Sequence, residues 1–492
     1  MYLKNFGFNR KSGIIMPIAS LPSKYGIGSF GNPSYDFIDF LSKSGQKCWQ
    51  VLPLNPTSYG DSPYQSPSSY AGNPYFIDLE ILCEKKLITK KQLKESVFDS
   101  EKIDYGNLFF NRYNILRKAF NNFKPTNSYY KFEKLNKKWL NDYALFMALK
   151  VKNNYLPWYE WKNEDKIYKL AKKQTKKLKS EIDFFKFLQY EFFSEWQSVL
   201  DYAHKNNILL IGDLPIYVAY DSVDVWSSAN EFLLDNELKP TVVAGVPPDA
   251  YSKTGQLWGN PIYNVKYMKE NGYKWWIERI NHTKKLYDIV GIDHFRAFSS
   301  YFVIPASDST AVNGWWEQGL GVEFFDAVKY KCKNIKIIAE DLGFITDDVK
   351  ELLNYTKFPG MKVLQFAFYE DNSIYHPNNF KDENCVVYTA THDSETTLEW
   401  FSKIDNFALK RFNLSKKKGK ASNVYKMIDL ALSSKANLAL ITMQDYLEIG
   451  KEGRLNVPSV ASGNWTWRLN NNYNLKKNIE KIYKINKINN RI

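Results

Sequence analysis

DIVGIDHFRAF, residues 288–298, opens as a short Val/Ile run and then delivers Asp293, His294 and Arg296 within four positions. The apolar part is too short for a helix and reads as a buried strand. Its abrupt end in charge places the charged residues at the strand's carboxy-terminal edge. Seven further runs have the same character, at 13–17, 48–52, 208–212, 335–339, 361–366, 385–389 and 438–442, and together they predict eight mostly buried strands.

Helical spacing separates several of these runs. Phe184, Leu188, Phe192, Trp196 and Leu200 recur every four residues ahead of the third strand, which puts them on one helix face. Eight buried strands with helical crossovers predict an α/β fold, a closed (β/α)8 (TIM) barrel rather than a doubly wound sheet. The spacing is uneven. Residues 84–183 are Lys-rich and helix-like, and predict a long helical insertion between the second and third strands. Residues 220–275 contain AGVPPD (244–249) and predict a long loop insertion after the third strand, lying over one barrel end. The barrel itself is expected from 1–83 and 184–492, without internal repeats.

Composition is consistent with one large enzyme domain carrying insertions. The chain has 492 residues, 44% of them apolar and 16% aromatic, ample for a large core. The net charge of +14 comes from dispersed Lys in runs such as KIYKLAK (166–172) and SKKK (415–418). That pattern describes a solvated face and not a phosphate footprint, so no nucleic-acid partner is expected. Cys48, Cys83, Cys332 and Cys385 are far apart, with no C-x-x-C pair and no nearby His to complete a zinc site, and read as reduced core thiols. No segment resembles a signal peptide or approaches 18 consecutive apolar residues. A cytoplasmic protein without a membrane partner is the expectation.

The residues immediately after the strands indicate the chemistry. Asp213, Asp293 and the pair Glu340-Asp341 come directly after predicted strands, and His392-Asp393 follows the strand at 385–389 after Ala390 and Thr391. Carboxy-terminal strand ends of a barrel share one face, where barrel chemistry is found. A lone acid there is ordinarily a helix cap, but four in step would converge on one pocket. Carboxylates gathered without metal-ligand spacing suit glycosyl transfer, in which one attacks the sugar carbon, a protonated second donates to the leaving oxygen, and a third holds hydroxyls as the ring flattens. Sugar rings also stack their C–H faces on aromatics. PTSYGDSPY (56–64) and TGQLWGNP (254–261) could supply these, although each alone is an ordinary turn with an aromatic.

With these residues in view, the chain resembles the 4-alpha-glucanotransferases known as amylomaltases or disproportionating enzymes, relatives of the alpha-amylases. The resemblance spans nearly the whole sequence and is carried by GIIMPIASLP (13–22), WQVLPL (49–54) with the Tyr59 loop, GDLPIY (212–217), residues 245–261, IDHFR (292–296), AEDLG (339–343), THD (391–393) and SGNW (462–465). It implies that Asp293 is the nucleophile, Glu340 the general acid and later base, and Asp393 the transition-state stabiliser. It further implies that Asp213 accepts hydrogen bonds from sugar hydroxyls, that His294 and His392 donate them, and that Tyr59 and Trp258 stack on sugar rings. Asp249, Gln256 and Asn464 complete the implied substrate-binding set. The implied reaction is retaining transfer of an alpha-1,4-glucan segment, from malto-oligosaccharides or longer glucans, to a glucose or maltodextrin acceptor, with no metal or organic cofactor.

The sequence departs from the family pattern where it has Gly291 in place of Arg, Ala297 in place of Gly, and Ala250, followed by Tyr251, in place of an aromatic. Side chains alternate along a strand, so residue 291 shares a face with Asp293, and a guanidinium there would keep that carboxylate ionised. Arg296 or a neighbouring Lys could take over that task. Three readings are open: a working transferase, a weakened relative that chiefly binds glucan, and an unrelated basic nucleic-acid-binding protein. The complete set Asp293, Glu340 and Asp393 speaks for the first.

Overall fold

The structure is a computed structural model that describes residues 10–58, 60–98, 101–248, 252–416, 419–458, 460, 462–469 and 475–492. In chain order its strands are β1 (Lys11–Ile15), β2 (Cys48–Gln50), β3 (Leu209–Leu214), β4 (Val242–Val246), β5 (Gln256–Pro261), β6 (Ile289–Ile292), β7 (Ser300–Pro305), β8 (Trp315–Gln318), β9 (Ile337–Ala339), β10 (Gly360–Val363), β11 (Cys385–Tyr388) and β12 (Leu438–Thr442). Eight of them close a parallel barrel in the order β1-β12-β11-β10-β9-β6-β3-β2. Each of the eight runs expected from sequence supplies one barrel strand, with ends shifted by a few residues. The run at 361–366, for example, leaves the sheet after Val363 and turns into a 3-10 helix at Leu364–Phe366.

Alternation along the strands fixes what faces inward. Ile15, Cys48, Ile211, Ile289, Ile338, Met361, Val363, Val386, Tyr388, Leu438 and Leu440 fill the barrel interior. Their strand neighbours Ile14, Trp49, Leu210, Val290, Ile337, Val387 and Ala439 belong to the second, larger core under the helices. Both faces are buried, which is why these strands read as unbroken apolar runs. Arg491 secures the closing seam at the opposite end from the site. Its guanidinium donates to the carbonyls of Lys11 at 3.1 Å, Leu432 at 2.8 Å, Ala436 at 2.8 Å and Ser434 at 2.9 Å.

Between β2 and β3 lie the long helices Tyr105–Asn122, Asn127–Lys152 and Lys179–Lys205. Asp104 and Thr126 start the first two by accepting the amides of Asn107 and Tyr129. The third carries the predicted stripe: Phe184, Leu188, Phe192, Trp196 and Leu200 are all buried, each worth roughly 1.5–3 kcal/mol. This helix runs across position 183, where the sequence suggested a boundary.

Residues 220–275 contain more regular structure than the expected loop. They hold β4 and β5, which pair antiparallel and join β7 and β8 in a four-stranded sheet ordered β5-β4-β7-β8. Its small core is Val243, Phe302, Ile304 and Ala311. Among the described residues no helix is long and apolar enough to cross a membrane, and all four cysteines are free.

Candidate active site

The inward parity of the barrel strands continues into the acids. Two residues beyond the inward Ile211 is Asp213. Two beyond Ile289 is Gly291, and two further is Asp293. Two beyond Ile338 is Glu340. Because strand side chains repeat every second residue, these groups point toward the barrel axis. Asp213, Gly291, Glu340, His392 and Asp393 accordingly line one cavity of about 70 Å³ that continues down to Gln50 and Tyr388. Asp341 has the opposite parity. Its carboxylate accepts the Met361 amide at 2.6 Å and nests against Gly360, where a Cβ would lie 2.4 Å from Asp341 Oδ2. Of the tandem Glu340-Asp341 pair, only Glu340 therefore faces the cavity.

Crowding of like charges separates these carboxyls by protonation state. Burial, then the facing Asp213 and Asp393, raise Asp293 to about 7, against the pull of His392 and the Ile216 amide. Burial and the Asp293, Asp213 and Asp393 charges push Glu340 well above the usual carboxylate range, so Glu340 holds its proton. Asp213 is raised by burial, opposed by His392 and by Tyr64, whose hydroxyl donates to Asp213 Oδ2 at 2.6 Å. Asp393 moves the other way. Burial would raise it, but His392 at 3.4 Å and the Asn456 amide at 2.7 Å from Oδ1 hold it low. Its side chain is 49% exposed, at the cleft mouth. Burial opposes charge on His392 as well, yet Asp393, Asp213 and Asp293 raise it to about 9. Burial and neighbouring charges thus favour the protonated form of Glu340, the ionised form of Asp393 and the imidazolium form of His392.

The rings expected to meet sugar occupy the same end. Trp258 on β5 stands edge-on to His294, centroids 5.1 Å apart at 81°, and its Nε1 donates to Gln256 Oε1 at 3.1 Å. His294 takes a left-handed conformation at φ 47°, which turns the chain away after Asp293, and burial followed by Arg296 lowers it to about 3. Tyr64 stacks on His392 at 5.1 Å and 13°. Tyr59 and Asp249 lie outside the described residues.

Asn464 braces its own loop: Oδ1 accepts the Val457 amide at 3.0 Å, and Nδ2 donates to the Val460 carbonyl at 2.8 Å. The side chain which that loop delivers to the carboxylates is Asn456. Arg296 does not compensate for Gly291. Its guanidinium donates to the Phe344 carbonyl and to Ser300 Oγ and lies 3.8 Å over Trp316. The cation that offsets Asp293 is His392. Tyr64 and Asn456 escaped the sequence reading because they come from loops. Tyr64 stood in a quoted aromatic stretch, whereas Asn456 had no signal of its own.

A larger hollow of about 320 Å³ beside Tyr25 also contains Asp78 and Glu80, but both are committed to structure. Asp78 caps the helix Leu79–Glu84, and Glu80 accepts the Tyr25 hydroxyl at 3.0 Å. Among the described residues no group of three His, Cys, Asp or Glu is arranged to hold a metal ion.

A parallel barrel that aims a protonated glutamic acid and several aspartates into one hollow, with indole and imidazole rings beside them, defines the class of enzymes that break and remake glycosidic bonds. Sequence comparison narrows the class: the profile of the 4-alpha-glucanotransferase family matches residues 16–474, and the chain belongs to that family. It is similar to the 4-alpha-glucanotransferase of Clostridium butyricum, 48% identical over 486 residues, covering 96% of this chain and 99% of that one. The Thermus thermophilus 4-alpha-glucanotransferase is 41% identical over 479 residues, covering 94% and 95%. Among solved structures, the Streptococcus agalactiae amylomaltase in complex with acarbose superposes with a TM-score of 0.95 at 37% identity, covering 98% of this chain and 99% of that chain.

Proposed function

We propose that the protein cleaves an alpha-1,4-glucosidic bond with retention and passes the glucan segment to the 4-hydroxyl of a maltodextrin or glucose acceptor. The observation that carries this reading is the division of protonation among the gathered carboxyls. Glu340 keeps a proton to give to the leaving oxygen. Asp293 gives up its proton near neutrality and attacks the anomeric carbon. Asp393, held ionised, stabilises the oxocarbenium-like transition state. Glu340, once deprotonated, then takes the proton from the incoming 4-hydroxyl. Asp213, His294 and His392 hold sugar hydroxyls, with Trp258 and Gln256 on the β5 side of the cleft, and Tyr59 and Asp249 complete the substrate-binding set.

Transfer outpaces hydrolysis in this reading because the β4–β5 hairpin covers the glucosyl intermediate. An incoming sugar brings binding energy that water lacks. The helices between β2 and β3 wall the cleft from the side. A role limited to glucan binding is disfavoured, since binding alone requires neither a proton-holding Glu340 nor a matched Asp293. Buried free thiols at Cys48, Cys332 and Cys385 support a reducing, cytoplasmic setting. Incubation with pure maltotriose and subsequent product sizing tests the reading. It predicts glucose together with a ladder of longer chains, whereas predominant hydrolysis to glucose and maltose, or no turnover, would contradict it.

A further inference from the structure

Arg296 ties together three parts of the molecule. It lies three residues past Asp293. Its guanidinium donates to the carbonyl of Phe344, four residues past Glu340, and to Ser300 Oγ at 3.1 Å. The same group lies 3.8 Å over the ring of Trp316 on β8. Arg296 is 3% exposed, yet the aromatic residues on either side of it are open, Phe344 at 72% and Trp316 at 38%. β8 is the outer strand of the side sheet, and all four of its residues are exposed. Trp315 projects from its other face and is turned toward Glu317 Oε1 at 2.6 Å.

Core packing does not explain two open rings at this place. Phe302 meets Trp316 edge-on at 5.2 Å and, with Arg296, fixes the indole while leaving part of it in solvent. A ring immobilised in advance loses little side-chain entropy when a ligand stacks on it. The guanidinium beneath is already committed to a carbonyl and to the indole face, and the nearby exposed Asp348 carboxylate accepts from Ser299 and Ser300, so the patch offers apolar rings beside a hydroxyl-accepting group and no cation turned to solvent. That combination suits the C–H face of a neutral sugar better than a phosphate or an acidic peptide. Adjacency to the carboxylates indicates which sugar: Arg296 and Phe344 follow Asp293 and Glu340 by three and four residues, and Trp316 shares the side sheet ordered β5-β4-β7-β8 with Trp258.

We propose that Trp316 and Phe344 form a distal subsite for an alpha-1,4-glucan chain, gripping residues remote from the bond under attack and so favouring long chains over short ones. The proposal rests on the glucan-transfer reading above. Phe344→Ser is the primary variant, since it removes the ring and keeps the carbonyl that holds Arg296. Trp316→Ser is compared with Trp316→Phe, which retains a ring over the guanidinium. The ratio of kcat/KM for maltoheptaose to that for maltotriose should fall about five- to tenfold in Phe344→Ser and in Trp316→Ser, mostly through KM, and should recover in Trp316→Phe. Retardation of Phe344→Ser in amylopectin-containing gels should weaken in parallel. Equal losses on both substrates, an unchanged ratio with unchanged retardation, or self-association of the unmodified protein in sedimentation that Phe344→Ser abolishes would each overturn the subsite. Absence of maltotriose turnover in the unmodified protein would instead refute the transfer reading, and the gel would still report on the subsite.

Discussion

Gly291 and Asp213 are register partners on adjacent strands, and a Cβ at 291 would lie 3.3 Å from Asp213 Oδ1 and 3.2 Å from the Gly212 carbonyl. A side chain there would reach Asp213 first and the Asp293–Glu340 pair beyond it. With glycine, no cation enters from β6, and His392 is left to offset the aspartates. These charges set the sign of the pH dependence. In the proposed mechanism Asp293 must be ionised to attack, so activity is expected to fall as pH drops through about 7. His392 must remain charged, so activity falls again as pH rises through about 9. Gly291→Arg should favour the ionised carboxylates and move the acid limb of the kcat/KM profile down by about one pH unit, raising activity about tenfold near the foot of that limb and little above neutrality. An acid limb that stays in place would show that His392 already meets the whole demand.

The loop after β11 carries His392 and Asp393 and is held at both ends by one buried carboxylate. Asp445, in the short helix Met443–Tyr446 after β12, accepts Thr389 Oγ1 at 2.5 Å, the Thr397 amide at 2.8 Å and Thr397 Oγ1 at 2.7 Å. Asp445→Ala would strand three buried donors. Urea unfolding should show a loss of roughly 2–4 kcal/mol, and kcat should fall more than KM changes because the stabiliser loses its fixed position. Full stability in this variant would remove the clamp from consideration. Sequence made the β11 element legible, as it did the other barrel strands, because burial on both faces leaves an uninterrupted Val/Ile run. It did not reveal β4, β5, β7 and β8. β4 and β5 contain Gly and β5 is largely open to solvent, β8 is exposed throughout, and only β7 is a mostly buried run that could have been read as a strand. The carboxylates at barrel strand ends could be read from their strands, whereas Tyr64, Asn456 and Asp445 depend on loop paths that no periodicity encodes.

At the scale of the whole molecule, barrel closure carries Asp213, Glu340 and Asp393 from three separate strands to one hollow and brings Asp293, from a fourth, within reach of their charges. The side sheet adds Trp258 at its inner edge and, in the proposed subsite, Trp316 at its outer edge. The family match over residues 16–474 takes in seven of the eight barrel strands, the helices between β2 and β3 and this sheet, as expected if all three shape one cleft. The most direct test is covalent. A fluorinated alpha-maltosyl fluoride that loads the enzyme quickly and discharges slowly should trap the intermediate for peptide mapping by mass spectrometry. The sugar label is expected on Asp293. A label on Glu340 or Asp393, or turnover of the fluoride with no labelled peptide, would contradict the assignment of Asp293 as the nucleophile.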